Sequence, residues 1–147
     1  MAKVQKGRRS RLGQITLEPN QAIIAVLIGA MNANRHVAPD EAGRAHHLIW
    51  STRRFRRKSG ATVGKLIEDM RTLLEERDAD TVMEVAAKAI PARLRPSVFA
   101  VLVDLLFADG KMDAQERRFL QSIGSRLKLE PETVRQIVAV VLLKNQL

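Results

Sequence analysis

An all-α domain of about seven helices, built as two pseudo-repeated three-helix units joined by a central helix, is the fold this sequence predicts, and three observations predict it. Aromatic residues make up only 3% of the chain, and its β-branched residues are mixed with Ala, Leu, Glu and Arg in long windows. Apolar positions there recur every three or four residues, which lines one face of a helix, whereas a half-buried strand alternates every second residue. A chain of 147 residues, 46% hydrophobic, encloses one core but not two comfortable ones. Finally, the helix, turn and second helix read at residues 97–124 have a copy near the start of the chain.

Residues 1–17 carry Lys3, Lys6, Arg8, Arg9 and Arg11 with two glycines and no sustained period, which predicts a flexible basic arm ahead of a domain at 18–147. Helix 1 starts at Glu18-Pro19-Asn20, where proline suits a first turn, and runs to Asn32 with Ile23, Ile24, Leu27, Ile28 and Met31 inward. Helix 2 opens at Pro39-Asp40-Glu41, with acids suited to the positive end of the helix dipole. It buries Ala42, Ala45, Leu48, Ile49 and Trp50 and fades through an arginine cluster to Ser59-Gly60. Helix 3 covers 61–76, with Val63, Leu66, Ile67, Met70, Leu73 and Leu74 at helical spacing. Thr81 with Glu84 three residues on reads as a capping box that starts helix 4, and Pro91 stops it. Helix 5, at 96–108, is apolar nearly all round, which predicts burial on most sides. Helices 6 and 7 follow at 114–127 and 131–144, the last with Val134, Ile137, Val138, Val141 and Leu142 inward.

The repeat is explicit. At an offset of 75, Ala25-Val26-Leu27-Ile28 falls on Ala100-Val101-Leu102-Val103, Asn34 on Asp109, Val37 on Met112, Glu41 on Glu116 and Leu48 on Ile123. At an offset of 71, Thr62-Val63 and Leu66-Ile67 fall on Thr133-Val134 and Ile137-Val138. The four-residue difference lies where the first copy carries its arginine cluster. Each unit therefore reads helix, turn, helix, helix, with helix 4 between them.

The word Ala108-Asp109-Gly110, with Glu116 six residues beyond the glycine and an apolar helix before it, resembles the TerB-like family, known from tellurite-resistance proteins and from a domain of certain co-chaperones. The resemblance covers residues 18–147. It implies a non-catalytic interaction module in tellurite, metal-oxyanion or general stress response, working beside a protein or membrane partner. It also implies, for some members, a divalent cation such as calcium, magnesium or manganese at the family's acids. Carried onto this chain, those acids are Asp109 and Glu116; in the first copy Glu41 remains, while Asn34 and Arg35 stand in place of the aspartate and glycine.

The residues themselves offer two readings of the second turn. In one, Gly110 adopts a left-handed conformation, Asp113 accepts from the amides that open helix 6, and Glu116 reaches back to complete a capping box. In the other, Asp109, Asp113 and Glu116, with Asp104 or water, form an oxygen-rich cation site, although the spacing is not that of an EF-hand loop. Capping is the simpler of the two. Asp104, inside helix 5, needs either an exposed strip or a basic partner, because an unpaired buried carboxylate is costly.

Charge gives the competing functional reading. The formal net charge is +9, but the five basic residues of the arm and Arg53, Arg54, Arg56, Arg57 and Lys58 supply ten positive charges and leave −1 for everything else. A tail and one cluster, including Arg8, Arg9 and Arg11, thus form a candidate anion-binding surface for nonspecific nucleic acid or an anionic membrane. Phe55 is the single aromatic inside the cluster. Specific base stacking would ask for more.

Other classes fall away. With no cysteine, the chain has no disulfide, thiolate metal site or cysteine nucleophile. His46 and His47 are adjacent and point about 100° apart on a helix, unlike the i, i+4 pair of helical zinc sites. No serine–histidine–acid set and no phosphate-cradling glycine loop is present, so no enzyme is expected. Neither apolar run reaches the length that spans a bilayer. Arg8-Arg9-Ser10-Arg11 faintly resembles a twin-arginine signal, but Glu18-Pro19-Asn20 intervenes and no small-residue cleavage site follows, so the expected location is the cytoplasm.

Overall fold

The computed structural model describes residues 15–33, 39–107 and 110–147, and among them the regular structure is seven α-helices and one 3-10 turn, with no strand. The helices are α1 (Pro19–Ala33), α2 (Pro39–Ser51), α3 (Gly60–Glu76), α4 (Ala79–Ala89), α5 (Arg95–Leu106), α6 (Ala114–Arg126) and α7 (Pro131–Lys144); the turn, Ala92–Leu94, precedes α5. The all-helical fold is the one the sequence predicts.

Local chemistry sets where the helices begin. The Glu18 N–H donates to the Gln21 side chain at 2.9 Å, the Glu18 carbonyl accepts from Ala22 at 2.9 Å, and Pro19 occupies the first turn of α1. Ser59 caps α3 by accepting from the Thr62 N–H at 3.2 Å. α4 begins two residues before the expected Thr81: Asp78 is its cap, accepting from the Thr81 N–H at 3.1 Å and the Thr81 hydroxyl at 2.9 Å. Glu84 is not the return half of a capping box but binds Arg126 and Lys88. α2 ends at Ser51 and gives way to turns through the arginine cluster, where the Thr52 hydroxyl donates to the Ile49 carbonyl at 2.7 Å.

α1 is the axis of the molecule. Every residue from 22 to 28 is buried, as is Ala30, so four of the inward positions expected, Ile23, Ile24, Leu27 and Ile28, are joined by Ala22, Ala25, Val26 and Ala30, while Met31 is half-buried against the core. α3 and α4 pack along it, and α2, α5 and α6 touch it as well. α5 packs chiefly on α7 and also meets α1, α2 and α6. α4 bridges α1 and α6. At 1.5–3 kcal/mol for each fully buried large aliphatic side chain, α1 carries a major share of the apolar driving force.

One expectation about burial is refined and one corrected. α5 buries Val98, Phe99, Leu102, Val103, Leu105 and Leu106, and only Ser97 is exposed, so it is covered on most sides as expected; Ala100, Val101, Asp104 and Phe107 are half-buried and mark its thinner side. In α7, Val141 is buried and Val134, Ile137 and Val138 pack against the core, but Leu142 is 37% exposed and Val140 and Leu143 more so. α7 lies at the edge of the bundle, with one partner stripe along α5. Ile15 and Leu17, ahead of α1, pack against the core. No helix among the described residues is long and apolar enough to cross a membrane.

Candidate functional site

The acidic turn between α5 and α6 is built by backbone geometry. Gly110 has φ of 75°, the left-handed region that costs an L side chain strain, and its N–H donates to the Phe107 carbonyl at 3.0 Å. Asp113 Oδ1 then accepts from the Glu116 N–H at 2.7 Å, and Glu116 Oε1 accepts from the Asp113 N–H at 3.3 Å. This is a reciprocal capping box, and Glu116 is buried beneath it. Both carboxylates are thereby engaged in opening α6. Asp104 Oδ2 accepts from Lys144 Nζ at 3.0 Å, so this carboxylate ties α5 to the end of α7. Asp109 lies outside the described residues, as do Arg8, Arg9, Arg11 and His36 and the side chain of Glu41. Among the described residues no group of three or more His, Asp or Glu side chains converges as a metal site; His46 and His47 are exposed on α2.

The arginine cluster is folded around a buried anchor. Successive turns run through residues 52–58, with the Phe55 and Arg56 N–H groups donating to the Thr52 carbonyl and the Lys58 N–H to the Phe55 carbonyl. These turns drive Phe55 inward until it is 1% exposed. The ring is part of the core and offers no face for stacking on a base. Its neighbours Arg53, Arg54, Arg56 and Arg57 are exposed, and Lys58 is half-buried. Arg54 donates through Nε to Asn20 Oδ1, which pins the loop to the start of α1.

Here the structure joins residues that lie far apart in sequence. A cleft of about 590 Å³ opens between α1, the end of α2 and α5. Its floor is apolar, with Ile23 and Leu27 from α1 and Val98 and Val101 from α5. Phe55 and Leu94 close it, and Arg53, Arg54 and Arg93 stand at its rim. Of the expected anion-binding cluster, the cleft therefore takes Arg53 and Arg54 and leaves Arg56, Arg57 and Lys58 outside. Sequence reasoning did not single out Arg93. Its position one turn before an apolar helix, opposite a cluster rich in arginine, becomes meaningful only after α2 and α5 are packed together. Arg95, by contrast, is structural: its Nε donates to the Ile90 carbonyl at 2.9 Å.

Arg126 is the other functional-looking side chain that the sequence hid. Its Nη1 donates to the Asp80 carbonyl at 2.7 Å and Glu84 Oε2 at 3.1 Å, while Nη2 reaches Asp80 Oδ1 at 3.4 Å. The guanidinium fork thus fastens the start of α4 to the end of α6.

Comparison with known proteins adds one result. No curated protein and no solved structure gives a significant match to the chain. The family model described as tellurite resistance protein TerB matches residues 20–139, which spans the helical domain from α1 into α7, and the chain belongs to that family.

Proposed function

We propose that the chain is a non-catalytic helical interaction module of the cytoplasmic response to tellurite and related metal-oxyanion stress, working through a protein partner. The observation that carries this reading is how the polar groups are used. Asp113 and Glu116 cap α6, Asp104 holds Lys144, and Arg126 holds Asp80 and Glu84. The cleft between α1, the end of α2 and α5 is apolar with a cationic rim, the composition of a docking surface more than of a reaction centre. On this reading the acidic turn is a helix cap first, and calcium, magnesium or manganese at Asp109, Asp113 and Glu116 is not needed for binding a partner.

The test is genetic. Deleting the gene lowers the tellurite concentration at which cells grow, and restoring the chain recovers it; unchanged tolerance to tellurite and to other oxyanions contradicts the proposal.

A second reading has one specific observation in its favour, the exposure of Arg53, Arg54, Arg56 and Arg57 on one loop. Together with the basic arm they would hold an anionic membrane or nucleic acid without sequence preference. Such binding weakens steeply between low and physiological salt and falls when the four arginines are neutralised. Undetectable affinity for anionic vesicles and for DNA at low salt removes it.

A further inference from the structure

The helix pairings of the two halves run in parallel except at one place. α1 packs on α2 and α3 and reaches α6, while α5 packs on α6 and α7 and reaches α2. α4 then lies against α1 and α6, but no helix among the described residues takes the corresponding place against α5 and α2; only the short 3-10 turn approaches α5 there.

Burial records the difference. Ala22, Ala25 and Val26 have no exposed surface, whereas the residues 75 positions later, Ser97, Ala100 and Val101, are exposed or half-buried. Ser97 and Val101 also line the cleft with the arginine rim. The edge chemistry has a counterpart too. Where α4 seats, Arg126 receives Asp80 and Glu84. The position 75 residues earlier is Ser51, two residues before Arg53 at the rim.

We propose that the half-covered strip of α5 and the cleft beside it form a docking groove for an amphipathic, acidic helix of a partner protein, seated as α4 is seated on α1 and α6. This rests on the reading of the chain as an interaction module and names the surface and the chemistry of its partner. Three observations support a helix with acids. Ser97 and Ala100 are small, so a helix axis can approach closely. The floor formed by Ile23, Leu27, Val98 and Val101 is recessed and takes inserted apolar side chains, unlike a flat headgroup surface. Arg53, Arg54 and Arg93 demand negative charge, and no carboxylate among the described residues lines the cleft to satisfy them.

The probe is a peptide of the chain's own α4, residues 77–91, held helical by a hydrocarbon staple replacing Thr81 and Val85, because so short a helix is marginal alone. Titrated into the isotope-labelled full chain, it shifts the amides of Thr52, Arg53, Phe55, Leu94, Ser97 and Val101. Replacing its acids by lysine weakens binding about tenfold or more. Val101→Glu in the protein abolishes the shifts. Arg53→Glu with Arg93→Glu, both at exposed positions, weakens them about tenfold and decides the matter should Val101→Glu fail to fold. Unmoved amides at about 1 mM peptide overturn the proposal. So do shifts confined to α1 and α6, or phosphatidylglycerol vesicles moving these amides when the peptide does not. Tellurite tolerance that depends on the chain, combined with unmoved amides, defeats the groove and leaves the module standing; peptide binding in a chain irrelevant to tolerance defeats the module instead.

Discussion

α1 and α5 carry nearly the same apolar word, yet the first is enclosed and the second is only half-covered along one side. Ala25-Val26-Leu27-Ile28 is buried throughout, while in Ala100-Val101-Leu102-Val103 only the last two are. The residue that follows differs most. On α1 it is Gly29, where an added Cβ would stand 2.8 Å from Met83 Sδ and would push the Met83 thioether of α4 aside. On α5 it is Asp104, held by Lys144. Burial is thus decided less by the hydrophobic word than by whether another helix is available to cover it, and a carboxylate at the glycine position fits the uncovered case.

The comparison can be broken most forcefully with the same substitution at the paired positions. Val26→Glu places a carboxylate where no surface is exposed and is expected to cost about 4 kcal/mol or more, enough to unfold most of the chain. Val101→Glu keeps its carboxylate at a half-buried strip and costs about 1 kcal/mol. Urea titration followed by circular dichroism separates the two. Equal losses would mean that α5 is covered in solution as α1 is.

Removing the cap of α6 comes next. Asp113→Ala is expected to lower stability by about 1 kcal/mol, with calcium, magnesium and manganese making no difference to the midpoint. A midpoint that rises with one of these ions in wild type, and not in the variant, would return the acidic turn to the list of cation sites. The smallest effect concerns the end of α6, where Lys128 has φ of 56° and donates to the Ser125 carbonyl. A lysine there adopts a conformation natural to glycine, so Lys128→Gly is expected to raise stability by about 0.5–1 kcal/mol. A loss would show that the lysine side chain contributes more than its backbone costs.

The parts legible in the sequence are those set by neighbours along the chain. Gly110, Asp113 and Glu116 announced a left-handed turn and a capping box because each needs only residues within one turn of helix. Asp104 announced either an exposed strip or a basic partner because its desolvation must be compensated, and nothing in the sequence chose between them or said Lys144. The start of α4 was misread for a related reason. Both Asp78 and Thr81 suit a cap, and Glu84, which made Thr81 attractive, is claimed by Arg126 from 42 residues away. Phe55 was read as one aromatic among cations, and only the turns at 52–58 show that it points inward. The thinner cover of α5 along Ser97, Ala100 and Val101 was illegible in principle, since a helix apolar all round looks the same whether its last neighbour comes from its own chain or from another.

The central claim is that α5 is left uncovered for a partner's helix, and the most direct measurement is tellurite tolerance in cells whose only copy of the chain carries Val101→Glu, with the protein level measured alongside. The account predicts normal abundance with tolerance reduced to that of a deletion. Wild-type tolerance at normal abundance would contradict it.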